Sequence, residues 1–369
     1  MKVLALVPQL RNAVLEWPRE GREILYFSRR AETDPELERA TPNVQRFSWR
    51  KVCAFARDPS VVAIEVGEPM WAREWPKCFG VVVFIKLVRR VRRLPRVVVA
   101  TYAIENLGWE ERFLLPQLDS RPAINLLFAK SARVIFDLSS RFVLDMIIFG
   151  SSGAQANYGV SMPRTMRGVR SSRLPTDWSR CACLRPMPVG TSNATPPRRR
   201  VVQFLGEAQR RKGIDVLLAA WGLVVQSHPG EDLSLVLTGP GCELIEPRAT
   251  SIVVEHAVAR GLIYRKLAAA DVVVLPSRRV RRWREQQGLP IGEGIRHGCR
   301  IVTTTETGLA ADLDGRSDVW IVPPESPTEL AAAISAALSD PPPPRSCDET
   351  YAHADSTRAA IWSLMCGGS

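Results

Sequence analysis

From residue 200 onward, short apolar runs of strand length alternate with longer stretches whose apolar residues recur at helical spacing. The strand-like runs are VVQFLG, LSLVLTGPG, SIVVEH, DVVVLPS, RIVTTT and VWIVPP. The predicted helices cover 212–226, 261–270, 290–297 and 326–338. The last helix opens with a capping box formed by Ser326 and Glu329. Strands alternating with helices are typical of βαβ units, so the pattern predicts an α/β domain with a parallel sheet over 200–345.

The first half carries the same signal in a weaker form. Its strand-like apolar runs are at 2–7, 61–66, 97–102 and 132–137. They predict a second α/β domain over 1–167. Residues 168–199 are rich in Arg, Ser, Pro and Thr without periodicity, which predicts a linker, and 346–369 form a tail with one helix. Because parallel sheets bind ligands at the carboxyl ends of their strands, we expect a site in a cleft between the two domains.

Charge is unevenly distributed along the chain. The net charge is +12, yet residues 201–340 hold 15 basic and 17 acidic side chains. The basic excess of the remainder indicates either an acidic partner or a generally Arg-rich surface, since 43 of the 50 basic residues are Arg. The basic side chains are not interleaved with aromatic ones, so we do not expect nucleic-acid binding.

A basic stripe is predicted on a helix over 77–94. Its members, Lys86, Arg89, Arg90 and Arg93, recur at intervals that place them on one helix face. One hypothesis is that this stripe docks on an anionic membrane surface. The alternative is an ordinary solvated helix face.

The eight cysteines are scattered and form no CxxC pair. Cys181 and Cys183 have no second pair and no histidine near them in the sequence, so we expect no zinc site. Scattered cysteines in a chain of this length are typical of the reducing cytosol. The start MKVLALVPQL predicts a buried strand rather than a signal peptide, and the longest apolar run, 79–88, is too short to span a bilayer. We therefore expect a cytoplasmic protein.

Two glutamates flank a predicted helix start in the stretch REQQGLPIGEGIRHG. Pro290 suits the first helical turn and Gly288 lets a ligand approach the backbone, so the amides of 288–292 and the helix dipole predict an anion site. Glu293, expected in the first turn, repels phosphate and favours a ribose diol, while Glu285 can reach a sugar beyond the diphosphate. The alternative is helix capping by Glu293 and a solvated Glu285.

A basic turn, GEAQRRKG, joins the first strand of this domain to its first helix. Lys212, with Arg210 and Arg211 beside it, brings cations to the carboxyl end of the strand. A diphosphate bound there would have its charge balanced. The alternative is a basic surface turn.

Taken together, these blocks resemble the donor domain of group 1 (family 4) retaining glycosyltransferases. The resemblance rests on VVQFLGEAQRRKGIDVLLAAW, LVLTGPG, LAAADVVVLPSRR, EQQGLPIGEGIRHGCRIVTTTETGLAADL and VPPESPTELAAAI, which follow the family's order over about 200–340. It implies the α/β GT-B fold of two Rossmann-like domains. It places the family's E-x7-E signature on Glu285 and Glu293 and its diphosphate-binding lysine on Lys212.

The same resemblance implies the activity and further donor contacts. The contacts are Gly206, Arg210 and Arg211 in the first block, Gly288 and Leu289 in the acid loop, and the backbone around Val254 beside the nucleobase. Glu285 and Lys212 are the implied catalytic residues. The implied reaction moves a sugar from a nucleoside diphosphate sugar to a hydroxyl acceptor (a glycan, a lipid-linked molecule or a small molecule) with no cofactor and no required metal.

The sequence departs from the family pattern at several points. Glu207 stands where the family usually has Arg, so Arg210 or Arg211 would have to substitute. Gln287 stands where an aromatic residue is common, and the first strand runs into VPQLRNAVLEW without a glycine. No histidine occurs among the first 227 residues, so deprotonation of the acceptor would fall to the donor phosphate.

Two further expectations concern the acceptor domain. Glu105 and Asn106 follow a predicted strand and are the candidate acceptor contacts. The tail helix, 354–365 with Trp362, is expected to pack back on the first domain, as in the family.

The departures leave two alternatives open: a catalytically degenerate nucleotide-sugar-binding protein, and a sugar-nucleotide epimerase or hydrolase of the same fold. A lipid-linked acceptor would place the protein at the inner face of the membrane.

Overall fold

The structure is a computed structural model. It describes residues 1–10, 12–15, 21–30, 33, 35–113, 122–174, 180–186, 199–246, 249–255, 260–281, 283–339, 341–342, 345–347 and 356–366. The chain divides into two compact units, Met1–Pro175 with Ala354–Ser369, and Thr176–His353. No helix among the described residues is long and apolar enough to cross a membrane.

The first unit is built on a seven-stranded parallel sheet. Its strands are β1 (Lys2–Leu10), β2 (Arg22–Arg29), β3 (Val44–Arg46), β4 (Val61–Val66), β5 (Val98–Ala103), β6 (Met146–Phe149) and β7 (Arg170–Arg173). Its helices up to residue 168 are α1 (Asn12–Leu15), α2 (Pro35–Arg39), α3 (Trp49–Arg57), α4 (Trp75–Val91), α5 (Trp109–Phe113), α6 (Pro122–Val143), α7 (Ser152–Ser161) and α8 (Pro163–Gly168). The strand order β3-β2-β1-β4-β5-β6-β7 reverses between β1 and β4, as in Rossmann-like domains.

Three of the four strands predicted for the first half are confirmed, as β1, β4 and β5. The fourth prediction is wrong, because residues 132–137 lie within α6. A short apolar run fits a buried strand and a helix equally well. The prediction also missed β2, β3 and β6. All four residues of β6 are buried, but the run is too short to stand out after the long apolar helix before it.

The second unit contains a six-stranded parallel sheet and a separate two-stranded one. Its strands are β8 (Leu184–Pro186), β9 (Arg200–Leu205), β10 (Leu233–Thr238), β11 (Ile252–Glu255), β12 (Val272–Leu275), β13 (Arg300–Thr304), β14 (Val319–Val322) and β15 (Arg345–Cys347). Its helices are α9 (Ile214–Ser227), α10 (Arg260–Ala269), α11 (Leu289–Arg296), α12 (Ala310–Leu313) and α13 (Pro327–Ser339). The large sheet has the order β11-β10-β9-β12-β13-β14, which reverses between β9 and β12.

In this unit the predicted strands and long helices are confirmed to within a few residues. The apolar runs became buried strands, and β12, with the sequence VVVL, is buried at every position. The apolar face of α9, including Leu217, Trp221 and Val224, packs into the core below the sheet. The Ser326 half of the predicted capping box is confirmed, because the Ser326 hydroxyl accepts the N–H of Glu329 at 3.4 Å just before α13.

The linker prediction over 168–199 is wrong at two places. Arg170–Arg173 form the edge strand β7, and Leu184–Pro186 form β8, which pairs antiparallel with β15. The sequence RSSR has no apolar residue and is held by backbone hydrogen bonds to β6, so side-chain periodicity gives no signal for it. Residues 175–179 and 187–198 lie outside the described part of the chain.

Helix α4 confirms the predicted helix over 77–94, but the basic stripe is not an exposed face. Arg89 is buried and donates to the carbonyl oxygen of Asp58 at 2.8 Å. Lys86 pairs with Asp145 at 3.3 Å. Arg93 lies beyond the helix end with a positive φ of 54°. Lys86 and Arg89 therefore hold α4 to its own unit, whereas Arg90 and Arg93 are exposed. The four side chains do not form one exposed stripe of the kind that membrane docking would need.

The final helix, α14 (Ser356–Cys366), belongs to the first unit, as the resemblance led us to expect. The indole N–H of Trp362 donates to Glu65 Oε2 at 2.8 Å. The guanidinium of Arg22 lies 3.2 Å from the centroid of the same ring. Ile361 and Met365 are buried in one cluster with residues of β1, β4 and β5.

Candidate active site

Two loops meet where the second sheet reverses its strand order. One loop follows β9 and includes the 3-10 turn Arg210–Lys212, and the other follows β12. Gly213 ends the turn with a φ of 72°, and a β-carbon there would overlap the carbonyl oxygen of Pro276. The N–H of Arg278 donates to the carbonyl oxygen of Arg211 at 3.0 Å. The two loops are therefore in direct backbone contact at the position where Rossmann-like domains bind ligands.

Lys212 and Glu285, the predicted catalytic residues, form a salt bridge across these loops. Their side chains are only 15% and 10% exposed. The Ser277 hydroxyl donates to the same carboxylate at 2.9 Å, and the Gly308 N–H donates to the carbonyl oxygen of Glu285 at 3.0 Å. The structure thus brings together a cation and an acid that lie far apart in the sequence, and holds the acid from several sides.

Arg278 organises the turn that carries Lys212, and the sequence interpretation did not single it out. Its side chain is buried, and its Nη2 donates to both carboxylate oxygens of Asp215 at 2.9 Å. Nε donates to the carbonyl oxygen of Arg210 at 2.6 Å and Nη1 to Glu325 at 3.0 Å. The five donors of a guanidinium allow one side chain to hold three acceptor groups. The sequence shows two arginines, Arg278 and Arg279, soon after the apolar strand β12. It does not show which residues Arg278 contacts, because the fold brings those residues together.

Arg211 is the arginine packed beside Lys212. Its guanidinium lies 2.8 Å from Glu207 and 4.5 Å above the ring of Trp283. The ammonium of Lys212 lies 5.3 Å from the same ring. Glu207, which departs from the family pattern, therefore holds Arg211 in place. Arg210 is exposed instead, and Trp283 is a further site residue that sequence reasoning missed.

The start of α11 is as predicted, with one difference. Gly288 is the N-cap with a φ of 65°, Pro290 lies in the first turn, and Leu289 is 65% exposed. The N–H of Ile291 donates to the carbonyl oxygen of Gly288 at 2.8 Å, and Pro290 has no N–H. Fewer amides are therefore available for an anion than the sequence predicted for 288–292.

Glu293 lies in the second turn of α11, not in the first as predicted, because the helix begins at Leu289. Its side chain is partly buried, and its carbonyl oxygen accepts the N–H of His297 at 3.0 Å. A helix is capped by side chains at its N-cap and first-turn positions. The capping alternative for Glu293 is therefore excluded by its position.

Gly206 lies where the loops after β9 and β10 touch. It has a φ of 154°, and a β-carbon on Gly239 would overlap its carbonyl oxygen. Val254 lies on the edge strand β11, partly buried against the core. Next to it, Glu255 accepts the Thr238 hydroxyl at 2.8 Å. Residues 256–259, which include His256, lie outside the described part of the chain.

Glu105 and Asn106 follow β5, as expected, but both are buried. The carboxylate of Glu105 accepts the N–H of Leu107 at 3.0 Å. The N–H of Glu105 itself donates to Glu68 at 3.1 Å, and Asn157 donates to its carbonyl oxygen at 2.9 Å. The two residues lie in a hydrogen-bonded turn. Neither side chain is exposed, so the structure does not support the prediction that they contact the acceptor.

The expectation that Cys181 and Cys183 have no histidine partner is wrong. His297 lies 114 residues away in the sequence, and its Nε2 is 3.4 Å from Cys183 Sγ. Both thiols and the imidazole are buried. Burial, together with the neighbouring thiols of Cys181 and Cys347, raises the pKa of the Cys183 thiol. Sequence spacing did not show this cluster, because the fold brings it together from three separate segments.

Comparison with known proteins finds similarity over this domain. Residues 199–340 match the family model described as Glycosyl transferases group 1. The D-inositol 3-phosphate glycosyltransferase of Corynebacterium jeikeium is 29% identical over 162 residues, which are 39% of this chain and 36% of the relative. The enzyme of the same name from Corynebacterium diphtheriae is 27% identical over 206 residues, which are 51% of this chain and 42% of the relative.

Solved structures resemble the chain over nearly its whole length. Anabaena Alr3699/HepE, in complex with UDP and glucose, has a TM-score of 0.58 at 15% identity, covering 92% of this chain and 90% of that one. Sucrose-phosphate synthase from Thermosynechococcus elongatus has a TM-score of 0.55 at 15% identity, covering 99% and 95%. At this identity the likeness shows the fold alone.

Residues 199–340 are therefore similar in sequence to group 1 glycosyltransferases, and the two Rossmann-like sheets give the chain a GT-B fold. In the matches reported above, the chain spans 36% to 42% of the length of its curated relatives.

Proposed function

We propose that the protein is a retaining glycosyltransferase, which moves a sugar from a nucleoside diphosphate sugar to a hydroxyl acceptor. The observation that carries the proposal is the Lys212–Glu285 salt bridge at the point where the strand order of a group 1 glycosyltransferase domain reverses. Rossmann-like domains bind nucleotides at this point. The proposal gives the pair two separate roles, one toward the diphosphate and one toward the sugar.

Lys212 and Arg211 would balance the charge of the diphosphate. An ammonium has three N–H donors, so Lys212 can keep its contact with Glu285 and still donate to phosphate oxygens. Arg211, held by Glu207 and Trp283, would supply a second cation where the family usually has an arginine one residue after the glycine. Charge that develops on the leaving diphosphate would be stabilised by groups that are already in position.

The remaining donor contacts follow the family motif. We assign the ribose hydroxyls to Glu293, the sugar to Glu285, the diphosphate to the backbone at Gly288 and Leu289, and the nucleobase to the backbone around Val254. Gly206 would let the ligand approach the β9 loop closely. With no described histidine in the first unit, the donor phosphate itself would accept the proton of the acceptor hydroxyl.

The names of similar proteins indicate which compounds to test first. HepE was solved with UDP and glucose, and the corynebacterial relatives are D-inositol 3-phosphate glycosyltransferases. We therefore propose UDP-sugars as the first donors and D-inositol 3-phosphate as the first small acceptor. We also propose that transfer needs no divalent metal, because the cations of Lys212 and Arg211 fill that role. Adding Mg²⁺ or Mn²⁺ should leave the turnover rate unchanged.

A thermal-shift panel of UDP-, GDP- and ADP-sugars tests the donor assignment. A ligand that binds only the folded state raises the melting temperature, by an amount that grows with its concentration relative to Kd. We expect one nucleotide class to raise it in the wild type and to do so less in Glu293→Ala, which lacks the ribose contact. An equal shift in both proteins would contradict the role given to Glu293.

The two alternatives differ from the proposal in their products. A degenerate binding protein would bind the donor without releasing nucleotide with any acceptor. An epimerase or hydrolase would consume the sugar nucleotide without an acceptor. Analysis of nucleotide and sugar products, with and without acceptor, therefore separates all three functions.

For a lipid-linked acceptor, α6 offers a better membrane-facing surface than the basic residues of α4. Five large apolar side chains of α6 are exposed and share one side of the helix. They are Leu127, Phe128, Ile135, Leu138 and Phe142. Lys130 and Arg141 are exposed on the same helix, and basic groups favour anionic lipid. We propose that this α6 surface rests on the membrane that holds the acceptor, since contiguous apolar exposure indicates an interaction site.

A further inference from the structure

Three side chains that bind transition metals converge at the C-terminal end of α11, and a fourth lies beside them. Cys181 and Cys183 lie on the segment that enters β8, His297 follows the last residue of α11, and Cys347 ends β15. The backbone holds these segments together, because Cys181 donates its N–H to the carbonyl oxygen of Arg296 at 2.7 Å. The pairing of β8 with β15 places Cys347 opposite Leu184, next to Cys183.

The distances within this cluster fit a tetrahedral metal site. The ligand atoms of Cys181, Cys183 and His297 all lie within 4.8 Å of one another. Around a tetrahedral zinc ion, two ligating sulfurs are about 3.8 Å apart, and a sulfur and an imidazole nitrogen are about 3.6 Å apart. The observed 3.4 Å between Cys183 Sγ and His297 Nε2 is close to that value. The thiol of Cys347 is next to that of Cys183 but is not within 4.8 Å of all three ligand atoms. On binding an ion it would move in as the fourth ligand.

The imidazole of His297 is oriented as a metal ligand requires. Its Nδ1 lies 2.7 Å from the carbonyl oxygen of Glu293, so the N–H is on Nδ1 and the lone pair of Nε2 points toward the thiols. The ring is stacked on Tyr264, with centroids 5.2 Å apart and planes 9° apart. Ligating histidines usually have such a backbone partner at the second nitrogen, which fixes both tautomer and ring direction.

Arg345 fixes the strand that carries the fourth ligand. Its guanidinium donates to the carbonyl oxygen of His297 and, at 2.9 Å, to that of Ala270. Arg345 is itself buried, and it lies two residues before Cys347 on β15. The same guanidinium that anchors β15 therefore also anchors the backbone of the histidine ligand.

We propose that Cys181, Cys183, Cys347 and His297 bind one zinc ion. A Cys₃His set fills all four positions of a tetrahedral zinc with protein ligands, which is the pattern of a structural rather than a catalytic site. The ion would fasten β8 and β15 to the C-terminal end of α11. The N-terminal half of that helix carries Gly288 and Leu289, so the zinc would hold the helix of the proposed donor site in place.

Metal analysis of the untagged, full-length chain tests the proposal directly. Protein expressed with added zinc and purified under reducing conditions should hold about one zinc ion per chain. Replacement by Co²⁺ should produce the thiolate-to-cobalt charge-transfer absorption and the intense visible bands of a tetrahedral site. A metal-free protein after both treatments would overturn the proposal, as would intact-mass evidence for a disulfide among Cys181, Cys183 and Cys347.

Variants locate the site and separate it from the donor chemistry. Cys183→Ser and His297→Gln should lose the zinc, whereas Cys53→Ser, which changes a cysteine of the first unit, should keep it. Equal zinc content in all three proteins would place the metal elsewhere and refute the assignment. Metal content does not depend on catalysis, so it remains informative if the glycosyltransferase proposal fails. Only the inferred effect of zinc on donor affinity rests on the glycosyltransferase proposal.

Discussion

Lys212 and Glu285 lie 73 residues apart in the sequence and share one largely buried salt bridge. Each charge is tolerated there because the other is present, and Ser277 adds a hydrogen bond to the acid. At the residue scale the proposed function depends on this pair. It also depends on Gly213, where a side chain would collide with the loop that carries the acid.

The first prediction concerns the pair itself. Lys212→Met leaves Glu285 buried without its partner, so we expect the free energy of unfolding to fall by about 3–5 kcal/mol. The double variant Lys212→Met/Glu285→Leu removes both charges and should be less destabilised than the sum of the two single variants. Equilibrium urea unfolding of the four proteins measures this coupling. Strictly additive changes would show that the two side chains do not interact in solution.

The second prediction concerns Gly213. Gly213→Ala should lower the melting temperature and weaken donor binding, because the new methyl group overlaps the Pro276 carbonyl oxygen and the backbone has a positive φ. Gly222→Ala is the matched control, since no atom lies within 4 Å of a β-carbon at that position in α9. It should stabilise the protein by up to about 1 kcal/mol. If both variants melted at the same temperature, the close contact between the two loops would be refuted.

Several site residues were identified from the sequence and others were not. Glu285, Glu293 and Lys212 stand in family motifs with fixed spacing, so these candidate residues could be located from the sequence. Arg278 and Trp283 act through contacts with the β9 loop, which no local pattern reveals. Glu105 was misjudged for the same reason, since a position after a strand does not show whether a side chain is buried.

At the scale of elements, the loop after β12 determines how the turn before α9 is held. Arg278 connects that loop with Asp215 at the start of α9 and with the carbonyl oxygen of Arg210 in the turn. The six strands of the large sheet in the second unit could be predicted because each is a short apolar run. The strands β7, β8 and β15 could not, because they are short and are defined by backbone pairing at edges.

The third prediction follows from the position of Arg278. Arg278→Met should raise KM for the donor about tenfold or more. The substitution removes the charged hydrogen bonds that hold the Arg210–Lys212 turn, each of which contributes about 1.5–3 kcal/mol. Arg279→Ala, which changes the exposed neighbour, should have a much smaller effect. Steady-state kinetics with the donor identified by thermal shift measures both. Unchanged KM in a folded Arg278→Met protein would mean that the turn is held by other contacts.

The fourth prediction concerns the α6 surface. Phe142→Asp should reduce sedimentation with vesicles that contain anionic lipid, because it places a charge on a side chain that is 74% exposed in the apolar surface. Donor binding, located in the other unit, should be unaffected. Binding that disappears at high salt in both proteins would indicate a purely electrostatic attraction. Vesicle-independent self-association that the substitution abolishes would identify the α6 surface as a contact between two copies of the chain.

At the scale of the whole molecule, two Rossmann-like units are present, and the evidence for function lies in one of them. The family match covers 199–340, which lie in the second unit. The acceptor is therefore the least determined part of the reaction. The tail helix α14 was predicted from the sequence, whereas its packing on the first unit, made through Trp362, was expected only from the resemblance to the family.

The release of nucleoside diphosphate from UDP-glucose and other sugar nucleotides, with and without acceptor, tests the central claim most directly. We predict that an acceptor such as D-inositol 3-phosphate stimulates release by the wild type, and that Lys212→Met reduces the stimulated rate by about a hundredfold or more. The product should retain the anomeric configuration of the donor. Donor binding without release for any acceptor tested, or release that does not depend on acceptor, would contradict the assignment as a glycosyltransferase.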